Sequence, residues 1–138
     1  MAEEESISLQ LLRFLVGRVD QQAQVPDARL LLRDAVAALR RGFCRRSVID
    51  AAAAVEIALS DAHRTQCPNI PLGTKATLGT KVKKLSSALS LPTNLKADLV
   101  DIRNDAIHNN VIPDPSSTRS ALGLAEQVLH QLEPLPTP

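Results

Sequence analysis

Ser47-Val48-Ile49-Asp50-Ala51-Ala52-Ala53-Ala54-Val55-Glu56-Ile57-Ala58-Leu59-Ser60-Asp61-Ala62-His63 is the stretch that sets the fold class. At about 100° per residue, Val48, Ala52, Val55, Leu59 and Ala62 form one apolar stripe and Ile49, Ala53 and Ile57 a second. Ala51, Ala54 and Ala58 cover most of what remains. A helix apolar on nearly every side sits at the centre of a helical domain, and its small residues let neighbours come close. Its one polar seam is Glu56, Ser60 and His63. A carboxylate beside a buried stripe needs a partner, because an unpaired buried charge is costly. Glu56 therefore either ties helices together through Ser60 or an arginine, or anchors a functional arginine from behind.

Helical periodicity extends outward on both sides. Ile7, Leu11, Phe14, Leu15 and Val19 predict a first helix over 5–22, with a minor strand reading in the alternation of Ile7, Leu9 and Leu11. A second helix begins behind Pro26-Asp27 and stops near Gly42. Ser47 is read as the cap of the central helix, which runs to about His63. A loop through Cys67–Gly73 leads to a shorter helix over 75–89. Ser90-Leu91-Pro92 breaks it, Thr93 can cap the next helix, and Asn109-Asn110 with Pro113 end that one. Ser116 or Ser117 caps a last helix with the stripe Leu122, Ala125, Leu129 and Leu132. The expected architecture is all-α, one compact bundle of five to six helices over 1–133, followed by a loose Pro-rich tail over 134–138.

The chain of 138 residues is 44% hydrophobic and 22% charged with a formal net charge of +1. These values fit an ordinary globular domain with a sizeable core, and net charge gives no vote for nucleic acid. The opening Met1-Ala2-Glu3-Glu4-Glu5 is acidic where a secretory or transit signal would be basic. No apolar run approaches the ~20 residues of a membrane span, so a cytoplasmic protein without membrane contact is expected. Cys44 and Cys67 read as plain thiols. Phe14 and Phe43 are the chain's two aromatic residues. RNA, if bound, should be held through phosphates with little choice of base.

Asp101-Ile102-Arg103-Asn104-Asp105-Ala106-Ile107-His108-Asn109-Asn110 carries the chemistry. Leu95, Leu99, Ile102 and Ala106 form the core stripe of this helix, while Asp98, Asp101 and Asp105 form a solvated acidic one. Asn104 and His108, four apart, share the face opposite the core. Ala97, Val100 and Ile107 flank them, which reads as an interface that keeps an Asn and a His for a purpose. Arg103 lies about 140° round the helix from His108, so one copy does not aim both heads at one small site. A two-fold axis beside this face would bring two sets together.

Arg103 followed by Asn104 and, five positions on, His108 resembles the signature of the HEPN superfamily, all-helical domains that include many metal-independent ribonucleases. Ala51-Ala52-Ala53-Ala54-Val55-Glu56 is similar to the Ala-rich helix with a Glu that precedes the motif in many members, and Thr77–Val82 to the helix start between them. The resemblance implies a homodimer whose motif helices line a shared cleft. It further implies an endoribonuclease of toxin or defence type, with Arg103, Asn104 and His108 catalytic and Glu56 behind Arg103. An antitoxin or a larger defence assembly would then be a partner beside the RNA. RNA supplies its own nucleophile, so an imidazole suited to proton transfer near neutral pH and a guanidinium fork for phosphate oxygens suffice. No cofactor or metal is expected. Arg40, Arg41, Arg45 and Arg46, with Lys81 and Lys84 beside Lys75 and Lys83, are candidate holders of the RNA backbone. The competing reading is a catalytically silent HEPN module for dimerisation or docking, or the helical partner of a nucleotidyltransferase.

Overall fold

The computed structural model describes residues 27–133, and the helix expected over 5–22 and the tail over 134–138 lie outside them. The described residues are all-α. Five helices follow in order: α1 (Asp27–Arg40), α2 (Cys44–Gln66), α3 (Leu78–Leu89), α4 (Asp101–His108) and α5 (Pro115–Leu132), with a π-helical turn over Lys96–Val100 leading directly into α4.

Helix α2 is the axis of the bundle, packed against α1, α3, α4 and α5. Val48, Ala52, Val55, Leu59 and Ala62 are all buried, as the first stripe requires. The second buried side differs from the expected one. Ile49, Ala53 and Ile57 stay half-buried, whereas Ala51, Ala54 and Ala58 have no exposed surface. The alanine side is where neighbouring backbones come nearest, and only a methyl group fits there.

Four helix starts differ in detail from the sequence reading. Helix α2 begins at Cys44, so Ser47 is an interior residue; it is fully buried and its Oγ donates to the carbonyl of Ala35 at 2.7 Å, tying α2 to α1. Helix α3 begins at Leu78 rather than 75, because Thr77 caps it by accepting from the amide of Thr80 at 3.2 Å. Thr93 does not cap the motif helix, which starts through an αR residue, Leu95, with no side-chain cap. Helix α5 is capped by Asp114 rather than Ser116 or Ser117; its Oδ1 accepts from the amide of Ser117 at 2.7 Å, and Pro115 occupies the first turn. That amide holds the Asp114 carboxyl below the ordinary carboxylate range.

The polar seam of α2 fastens the connection to α3. His63 donates through Nε2 to the carbonyl of Ile70 at 2.7 Å, and Lys84 donates to the carbonyl of Pro71 at 3.2 Å. At the far end of the bundle Arg29 donates to the backbone carbonyl of Glu133 at 3.2 Å. Nε of Arg29 and Oε2 of Glu133 are buried there without hydrogen-bond partners among the described residues. Burial first, and then the charge of Asp61, push the Glu133 carboxyl up, against the opposing pull of Arg29. Among the described residues no helix is long and apolar enough to cross a membrane.

Candidate functional site

The motif helix enters through the π turn, where the amide of Asp101 bonds the carbonyl of Lys96, five residues back. An i→i+5 turn carries one residue more than an α-turn, and such turns recur at functional sites. Leu95, Leu99 and Ala106 are fully buried as the core stripe requires, and Ile102 is half-buried. Val100 is the exception to the expected outer face. It is buried, its Cγ1 lying 3.6 Å from where a Cβ on Gly79 would sit, so the first turn of α3 covers that side.

The open apolar surface is therefore farther along. Ile107 is 38% exposed, Val111 50% and Ile112 74%, all beyond or at the end of α4. The chain reverses there through Asn110, whose φ of 52° is left-handed, with the amides of Asn109 and Val111 both donating to the carbonyl of Asp105 at 3.1 Å. Asn109 adds a side-chain bond to Asp105 Oδ1 at 2.9 Å. This double closure fixes the backbone immediately after His108.

Of the expected catalytic residues the structure joins two. Arg103 Nη1 donates to Asn104 Oδ1 at 2.9 Å, which orients the guanidinium and polarises the amide. Both side chains are half-exposed. His108 is exposed on the last turn and, among the described residues, shares no hydrogen bond with either. Within one copy, then, the imidazole and the guanidinium face outward separately, as the 140° between them requires.

Glu56 has a different partner from the one expected. Its Oε2 accepts from Lys81 Nζ at 2.9 Å, a part-buried ion pair between α2 and α3, while Arg103 turns to Asn104. Lysine wins because it rises from the second residue after Gly79, on the helix that packs directly over that part of α2. The same bond offsets the charge of Lys81, whereas Lys84 is exposed and its Nζ donates one bond to the carbonyl of Pro71. The acidic stripe is engaged locally: Asp98 accepts from Asn94 at 3.1 Å and Asp101 from Lys96 at 3.2 Å.

Arg40, Arg41, Arg45 and Arg46 gather at the α1–α2 turn, all exposed. Arg41 and Arg46 line a cavity of about 210 Å³ together with Phe43. A larger cavity, about 770 Å³, runs between α3 and the π turn with Lys83 and Lys96 on its wall. Sequence reasoning missed this groove, since its walls belong to separate elements. It also missed the exposure of Phe43, for which the signal was present: a phenylalanine next to Gly42 in a run of arginines. Compared with known proteins, the chain matches no family model, no curated protein and no solved structure.

Proposed function

We propose that this chain is an HEPN-type, metal-independent endoribonuclease that works as a homodimer. The observation that carries the reading is the Arg103–Asn104 pair at 2.9 Å standing one turn before an exposed His108, on a helix whose end offers bare apolar surface. In this reading Ile107, Val111 and Ile112 meet their counterparts across a two-fold axis, which brings the His108 of one protomer toward the Arg103 of the other. One imidazole takes the proton of the RNA 2′-hydroxyl as that oxygen attacks phosphorus. The P–O5′ bond breaks and the departing oxygen receives a proton, leaving a 2′,3′-cyclic phosphate and a 5′-hydroxyl. Arg103, steadied by Asn104, offers its remaining N–H groups to the non-bridging oxygens as charge builds on them. An antitoxin or a larger defence assembly would cover this cleft.

Incubating the protein with total RNA in EDTA and identifying the product ends tests the chemistry. His108→Ala and Arg103→Ala should each lower cleavage by about 100-fold or more. Mixing the two inactive proteins should restore part of the activity, because some heterodimers regain one complete set. Ile107→Glu should dissociate the dimer in sedimentation, as two like charges meet at the axis. Wild-type protein that leaves all RNA intact, or a fully active His108→Ala, would move the assignment to a docking module with the same helices.

A further inference from the structure

We infer that the α1–α2 turn is a docking site for a single nucleic-acid strand, with Phe43 as the platform for one base and the surrounding arginines as phosphate holders. The inference rests on the RNA reading above for the identity of the strand. It does not depend on cleavage.

Three observations converge on the turn. First, Phe43 is 54% exposed, although it is the only aromatic residue among those described. It is not loosely hung. Its amide donates to the carbonyl of Ala38 at 2.8 Å, and Gly42 before it, with φ of 81°, donates to the carbonyl of Leu39 at 2.9 Å. A left-handed glycine on a bonded turn is what aims the next side chain outward. Second, Arg40, Arg41, Arg45 and Arg46 flank Phe43 along the chain, and among the described residues the acidic groups nearby are few. Asp34 lies on the wall of the small cavity and Asp50 stands 3.7 Å from Arg46 Nε. The patch therefore keeps a positive excess in a chain that is nearly neutral as a whole. Third, helix formation does not account for these residues. Arg45 and Arg46 occupy the first turn of α2, where cations oppose the helix dipole, no acidic residue shares that turn, and Phe43 supplies no side-chain cap. Departures from local helix rules gather where a surface is kept for binding.

A polyanion with flat apolar faces is the chemistry that uses both features. A base stacked on an aromatic ring contributes roughly 1–3 kcal/mol, independent of its identity, and arginines follow the backbone. An acidic peptide would satisfy the arginines and leave the ring unused.

The test uses the whole protein and a fluorescent strand that cannot be cleaved, a 2′-O-methyl oligoribonucleotide. Phe43→Ala should weaken binding by about 5- to 140-fold, the stacking range converted at 1.4 kcal/mol per decade. Phe43→Leu, which keeps apolar bulk, should not restore it. Phe43→Trp should, and since the chain has no other tryptophan its emission reports the ring alone and should be quenched on binding. Arg41→Gln with Arg45→Gln should lower the salt slope by about 1.4, at about 0.7 per phosphate contact. All these side chains are exposed, so circular dichroism should be unchanged. No binding at low salt, an unquenched tryptophan, or a polyglutamate peptide bound with the same dependence on Phe43 would each overturn the inference. A strand bound through Phe43 by a protein that cleaves nothing would keep it while removing the ribonuclease. Cleavage that persists unaltered in Phe43→Ala with unchanged strand affinity would do the reverse.

Discussion

Helices α2 and α4 touch each other and are built to opposite rules. The first spans 23 residues and buries ten of them, with its polar side chains spent on fastening neighbours. The second spans 8 residues and buries Ala106 alone. Stability is thus concentrated in the helix that has no free chemistry, and the side chains capable of chemistry ride on a helix that contributes little to the core. Such a division lets a site change without unfolding its support.

The contrast is most sharply tested at its two extremes. Leu59→Ala should cost about 2–5 kcal/mol in urea unfolding, since the leucine is fully buried in α2. Arg103→Ala and His108→Ala should stay within about 0.5 kcal/mol of the parent in the same measurement. A loss above 2 kcal/mol for either would show α4 to be structural after all. Next in size is Glu56→Gln. Because Glu56 serves Lys81, it should remove about 1–3 kcal/mol of stability while the cleavage proposed for the folded protein is retained. Activity lost without stability would return Glu56 to the site.

Glu133, where α5 closes on α1, gives a pH test. Its carboxyl is raised by burial and by Asp61, so the fold favours the protonated form. The stability it contributes is full below the ordinary glutamate range and is lost as pH rises through the raised value. Glu133→Gln should therefore raise the melting temperature at neutral pH and flatten its fall between acid and neutral solution. A variant less stable at neutral pH would contradict the assignment. The smallest effect belongs to Ser90, which ends α3 in the left-handed region at φ 52°. Ser90→Gly should gain a few tenths of a kcal/mol, the relief of strain slightly exceeding the added freedom of the unfolded chain.

The comparison also explains what was legible in the sequence. The stripe of α2 and the stripe Leu95, Leu99, Ala106 could be read because burial there follows helical phase alone. Val100 could not, because its burial comes from Gly79, a residue 21 positions away on another helix. For the same reason the partner of Glu56 was misjudged: the wheel gives the need for a cation but not which neighbouring helix supplies it. The capping serine at 47 failed through a local rule overruled by packing, since a buried hydroxyl can serve the carbonyl of Ala35 as well as an amide of its own helix. The Arg103–Asn104 pair could be anticipated from adjacency, whereas the open face beyond Ile107 depends on the direction taken after Asn110.

The π turn before α4 amounts to an α-helix holding one surplus residue. Helical phase downstream is pinned by Ala106 and Ile102, and upstream by Leu95, so the surplus acts as a mechanical slack between the two. Removing a single residue from Lys96–Ala97 would draw the turn into ordinary i→i+4 bonding, a shift of about 100° in angular setting to be shared between the Pro92–Leu95 segment and the motif. The facing direction of Arg103, Asn104 and His108 is in this sense an adjustable setting, one that a deletion can turn without touching any of the three.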